Sequence, residues 1–212
     1  MKEYLQCTAS IDCDSPLVRQ KALELIGNEE NEEEKAKILF YFVRDAIKYR
    51  VFTDWPEREI FKASRTLNEG IGFCIPKALL LAALARVAGI PARLQFADIR
   101  NLLLPPSLLD AYGTDVMVYH GYVGLFIKGK WVKVNPAFDI ELCERHDIIP
   151  VDFWGSADAL FHLHDKKGRK HFEYLKDHGH FADFTDELYN TMISTFKEYY
   201  RDLAAQGHLQ KI

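Results

Sequence analysis

The segment Leu67-Asn68-Glu69-Gly70-Ile71-Gly72-Phe73-Cys74-Ile75-Pro76 opens onto an almost wholly apolar run from Lys77 to Ala88, in which only Lys77 and Arg86 are charged. Gly89 followed by Pro91 closes the run as a helix C-terminus. The pattern predicts a buried helix with Cys74 in or just before its first turn. Pro76 fits there, because the first backbone N–H groups of a helix have no intrahelical partner to lose. The positive end of the helix dipole favours thiolate over thiol, and thiolate is the attacking species. Gly70 and Gly72 permit a sharp turn and a close approach to the backbone. Cys74 therefore reads as a presented nucleophile; the competing reading is a small buried core residue.

The chain has 212 residues, 48% hydrophobic and 13% aromatic, enough for one substantial core, and residues 1–212 read as a single domain. A formal charge of −4, with no basic stripe interleaved with aromatics, argues against nucleic-acid binding as its main task. The N-terminus Met1-Lys2-Glu3-Tyr4-Leu5-Gln6 lacks a secretory apolar stretch, and the run from Ala78 to Ala85 is too short to span a bilayer. A cytoplasmic protein without a membrane partner is the expectation. In that setting Cys7, Cys13, Cys74 and Cys143 are expected to be reduced, with Cys7, Cys13 and Cys143 as packing residues.

A helix is predicted from about Glu32 to Ile47, where Ala36, Leu39, Phe40, Val43 and Ile47 recur at helical spacing. Asn31, with Glu34 three residues on, has the form of its cap, so the acidic cluster Glu29 to Glu34 reads as a solvated helix start. Ala92 to Phe96 reads as a strand, and the stretch from Ala97 to Asp115, broken by Pro105, Pro106 and Gly113, as an insertion. Val116 to Ile127 and Trp131 to Val134 read as a hairpin about the turn Lys128-Gly129-Lys130, carrying His120 and ending at Asn135-Pro136. If Tyr122 lies opposite Asn135, then His120 and Asn135 share a face at diagonal distance; a slip of one residue separates them. A final amphipathic helix is predicted from Thr185, its cap, to Leu203.

The order of the helix Lys35 to Ile47 with Tyr49, then Ala63-x-x-x-Leu67-x-x-Gly70-x-Gly72-x-Cys74, Gly89-Ile90-Pro91-Ala92-Arg93, His120, and Trp131-x-x-x-Asn135-Pro136 resembles the transglutaminase-like (transglutaminase-core) superfamily. The resemblance covers about residues 32–139, with residues 150–212 as a C-terminal extension. It implies an α+β, papain-like fold, in which a central cysteine-bearing helix packs on an antiparallel sheet, with an extra C-terminal helical segment. Position by position, it implies that Cys74 is the nucleophile, His120 the base and Asn135 the third, orienting residue. Two departures stand out. After its histidine the family usually has an aromatic and then a glutamate, where this chain reads His120-Gly121-Tyr122-Val123-Gly124, and its third residue is usually aspartate. Asparagine can orient the imidazole but cannot stabilise imidazolium by charge. Asp139, four residues later, is a reserve orienter.

These roles imply cysteine-dependent acyl transfer on a peptide or protein amide through a thioester, as a protease, amidase or transglutaminase-type enzyme, with no cofactor and no metal. Tyr49 and Trp55 precede the Cys74 helix and are candidates for a second oxyanion donor. Two rival readings remain. His162, His164, His171, His178 and His180 could serve a metal-dependent hydrolase, although no carboxylate or cysteine joins them at a recurrent ligand spacing. A non-catalytic binding protein on the same fold is the other.

Overall fold

The computed structural model describes residues 1–50, 57–104, 106, 109 and 113–205, the side chains of 200–205 excepted. Helix α1 spans Pro16–Ile26 and α2 Glu32–Ala46; β1 (Lys48–Tyr49) pairs in parallel with β2 (Ile71–Gly72), and α3 spans Ala63–Glu69. Helix α4, Cys74–Val87, is followed by strands β3 (Ala92–Asn101), β4 (Val116–Ile127) and β5 (Lys130–Val134), helix α5 (Ile140–Arg145), strand β6 (Phe172–Phe181) and helix α6 (Asp186–Ala205). The expected α+β architecture holds. The four longer strands form one antiparallel sheet in the order β5-β4-β3-β6.

Every residue of α4 from Cys74 to Arg86 is buried, because α1, α2 and α3 pack on one side of it and β3 and β4 on the other. A helix enclosed on all sides needs no polar stripe, and its sequence has none. Its two charged residues are absorbed by backbone. Lys77 donates to the carbonyls of Arg44 (2.9 Å) and Ile47 (2.6 Å) at the end of α2. Arg86 donates to those of Gln6, Ala92 and Ala182. At the α2 start, Asn31 Oδ1 accepts the Glu33 and Glu34 N–H groups, as its cap spacing implied.

Several elements depart from the sequence reading. Helix α1 and strand β6 were not anticipated, and β3 runs on to Asn101, into the stretch read as insertion. The hairpin turn has two residues rather than three: Ile127 pairs with Lys130, and both Lys128 (φ 47°) and Gly129 (φ 81°) are left-handed, the type I′ arrangement that matches strand twist. Cys7 and Cys13, expected as reduced packing residues, are joined in a disulfide. The chain doubles back between Thr8 and Ile11 and brings their Cα atoms within 5.0 Å. Trp55 lies outside the described residues. Among the described residues no helix is long and apolar enough to cross a membrane.

Candidate active site

Cys74 is the first residue of α4, and Phe73 before it provides no side-chain cap, so the N–H groups of the first turn are not spent on one. Gly70 ends α3 in the left-handed conformation (φ 68°). Gly72 lies so close behind the first turn that a Cβ there would meet Pro76 Cβ and Thr66 Cγ2 at 3.2 Å. From the other side, a Cβ on Gly121 would lie 3.1 Å from the Ile75 Cα. The strand that carries His120 thus presses directly on the helix that begins with Cys74.

The β4–β5 ladder pairs Val123 with Val134, and its next step sets Tyr122 opposite Asn135. That register places His120 and Asn135 on one face, and the Asn135 amide nitrogen sits 3.0 Å from His120 Nε2. Asn135 Oδ1 accepts the Ala137 N–H at 3.2 Å, which turns the amide NH₂ toward the ring. The Asn135 N–H in turn donates to the Ala159 carbonyl. His120 Nδ1 is buried and has no hydrogen-bond partner among the described residues.

Electrostatics keep the resting site neutral. Burial pushes the Cys74 thiol up to about 11, only partly offset by backbone hydrogen bonding to Gly121, Ile75 and Cys74 itself. Burial also pulls His120 down to about 4, against the opposing effect of Asn135. Burial thus favours the neutral thiol and the neutral imidazole over their charged forms.

Two glycines of the His120 strand lie in close quarters. Gly121 leaves room for the first turn of α4. At Gly124 a Cβ would crowd the Arg93 side chain at 3.1 Å; the Arg93 guanidinium lies 4.0 Å from the Trp131 ring centroid. Asp139 does not stand in for Asn135. Its Oδ1 caps α5 through the Leu142 N–H, and its Oδ2 accepts the Tyr49 N–H at 2.8 Å. Three neighbours escaped the sequence reading. Phe161 packs its ring 5.1 Å from that of His120. The Tyr174 hydroxyl is buried beside Asn135 and the Phe161 backbone, and burial raises its pKa. Lys77, one turn after Cys74, is fully buried, and burial lowers it to about 7 against the pull of Asp139 and Asp45. A lysine in an otherwise apolar run was the one visible signal among them.

Three of the five histidines of the metal reading have other partners. His178 bonds Asp98, His162 contacts the Pro150 carbonyl, and His171 stacks on Phe172. Among the described residues no cluster of three or more potential ligands could hold a metal ion.

The model of the transglutaminase-like superfamily matches residues 19–136. A candidate cysteine protease from Cytophaga hutchinsonii is similar in structure, with a TM-score of 0.50 and 16% identity, covering 81% of this chain and 62% of that one. The chain thus spans about three fifths of that protein. The periplasmic domain of TgpA from Pseudomonas aeruginosa gives a TM-score of 0.43 and 22% identity, over 63% of this chain and 45% of that domain. At 16% identity the likeness to the Cytophaga protein is one of fold. No curated protein matches the sequence. With more than half of the chain inside the matched region, and a cysteine-headed helix set against an antiparallel sheet, the chain belongs to the transglutaminase-like superfamily.

Proposed function

We propose that the protein is a cysteine-dependent acyl-transfer enzyme acting on a peptide or protein amide, with Cys74 as nucleophile, His120 as base and Asn135 as orienting residue. One observation carries this reading. A buried His120, bonded through Nε2 to Asn135 and with Nδ1 unpartnered, lies on the strand that packs against the first turn of the Cys74 helix.

His120 Nδ1 takes the thiol proton as sulfur attacks the amide carbonyl, and the backbone N–H groups at the start of α4, including that of Cys74, receive the oxyanion. The imidazolium then protonates the leaving amine. Water or an acceptor amine releases the acyl group from the thioester, with His120 again as base. Proton transfer accompanies attack, because neither group is charged at rest. Base action at Nδ1 requires the tautomer with hydrogen on Nε2. Asn135 supports that tautomer when its amide is turned so that Oδ1 faces the ring, at the expense of the Ala137 bond. Hydrolysis is the favoured outcome, by likeness to a candidate protease. The Cys7–Cys13 disulfide favours an oxidising compartment over the cytoplasmic one that the sequence suggests.

The test is to incubate the protein with an activated ester and with a peptide library, then locate acyl adducts by mass spectrometry. An adduct on Cys74 that disappears in His120→Gln is expected. Its absence with every probe would overturn the reading in favour of the binding protein, which the 8% exposure of Cys74 also fits.

A further inference from the structure

Tyr119, immediately before His120, holds φ at 54°, in the left-handed region that a bulky aromatic rarely adopts. Its neighbours account for that. Asp98 Oδ1 accepts the Tyr119 N–H at 2.9 Å, and His178 Nε2 contacts the same oxygen at 2.7 Å. The His178 imidazole lies nearly flat on the Tyr119 ring, with centroids 3.9 Å and planes 16° apart. Both ladders of β3 are irregular at this level: the register with β4 shifts between Ala97 and Ile99, and that with β6 shifts between Phe96 and Ala97 and again between Asp98 and Ile99. Such irregularities re-aim side chains beside functional sites. The β3–β4 pairing is regular again from Ala97 opposite His120.

We propose that Asp98 and His178 are positioning residues that clamp Tyr119 and so aim His120 at Cys74. The proposal rests on the reading of His120 as the base. Asp98 holds the backbone through the N–H, and His178 holds the ring; both act through Tyr119, whose φ sets the direction in which the next residue leaves the strand. A backbone conformation of this kind persists only where its surroundings over-determine it, and here a hydrogen bond, a stacked ring and the break in the β3–β4 register converge on one residue.

The experiment uses the full-length protein and two readouts: the rate of Cys74 acylation by an activated ester, and the imidazole nitrogen signals of His120 by NMR. Asp98→Ala is expected to lower the acylation rate about tenfold and displace the His120 signals, as the left-handed conformation loses its support. Adding Tyr119→Gly should restore both readouts to within about threefold, since glycine holds a positive φ unaided. Asp98→Asn, which keeps an oxygen for the Tyr119 N–H, should lose less than Asp98→Ala. Unchanged His120 signals in Asp98→Ala, or a folded double variant that regains neither readout, would overturn the clamp. If the wild type shows no acylation at all, the functional reading fails, while the His120 signals still decide the clamp. Should Asp98→Ala not fold, Asp98→Asn and His178→Phe carry the same test, the second keeping the stacked ring but losing the polar tie.

Discussion

Two histidines sit on the strands that flank β3, and each touches the side chain of an Asx residue, yet the two pairs are built differently. His120 meets a neutral amide at 3.0 Å and is 1% exposed; His178 meets a carboxylate at 2.7 Å, and that carboxylate also holds a backbone N–H. An amide orients a ring without stabilising its charge, whereas a carboxylate does both. Burial pulls His120 down to about 4, and the contact with Asn135 only partly opposes it. Under the roles proposed above, asparagine in the third position suits a histidine that acts as a general base from its neutral form, and an aspartate there would suit an ion pair.

Removing the proposed nucleophile or base should have the largest effect. Cys74→Ser or His120→Gln is expected to lower ester acylation by at least about 10³-fold, read by mass spectrometry, because members of a nucleophile–base unit fail together. Retained acylation in His120→Gln would remove the distinction between the two histidines.

Asn135→Asp makes the first pair resemble the second. The carboxylate accepts the Ala137 N–H and an Nε2–H without turning over, and its charge raises the His120 pKa. The pH profile of Cys74 alkylation by iodoacetamide should move down by about one unit or more, the scale of a carboxylate beside a cation. A profile that stays in place would show that charge at this position does not govern His120.

Stability should report the same burial. His120 has a pKa of about 4 when folded and an ordinary value of 6.5, so the unfolded chain takes the proton first as the pH falls. Its contribution is complete above pH 6.5 and is lost as the pH drops through about 4, by of the order of 3 kcal/mol at most. Urea midpoints at pH 7 and pH 4.5 should therefore differ more in the wild type than in His120→Gln; equal differences would sink the assignment of His120 as buried and neutral.

The smallest change is expected from Phe161→Ala, which uncovers the His120 ring without touching Asn135 or Cys74. Alkylation of Cys74 should rise by about two- to fivefold, as loss of a covering ring relieves part of the desolvation. An unchanged rate would mean that Phe161 packs on His120 without limiting access.

The Cys74 helix was legible because three kinds of signal agreed: an apolar run with no polar stripe, glycines before it and proline inside its first turn. His120 and Asn135 were legible as candidates, and their meeting depended on a register that a two-residue Lys128-Gly129 turn set. Helix α1 escaped notice because its buried residues, Val18, Ala22 and Ile26, make a sparse pattern. Strand β6 escaped because much of it from Tyr174 to His180 is polar and exposed, so period-two burial is faint. Phe161, Tyr174 and His178 reach their partners from distant parts of the chain, and no local pattern announces such contacts. The disulfide was not legible because pairing of Cys7 with Cys13 depends on the chain doubling back between Thr8 and Ile11, which no local pattern announces.

Strand β6 has a practical consequence. It lies beyond the family-matched residues, yet it covers the outer edge of β3 from Leu94 to Asn101. A recombinant fragment cut after residue 136 would keep Cys74, His120 and Asn135 but leave a long row of unpaired backbone groups on a strand rich in buried apolar residues, a template for self-association. The smallest piece that carries the motif and the smallest piece that stays in solution are therefore different fragments of this chain.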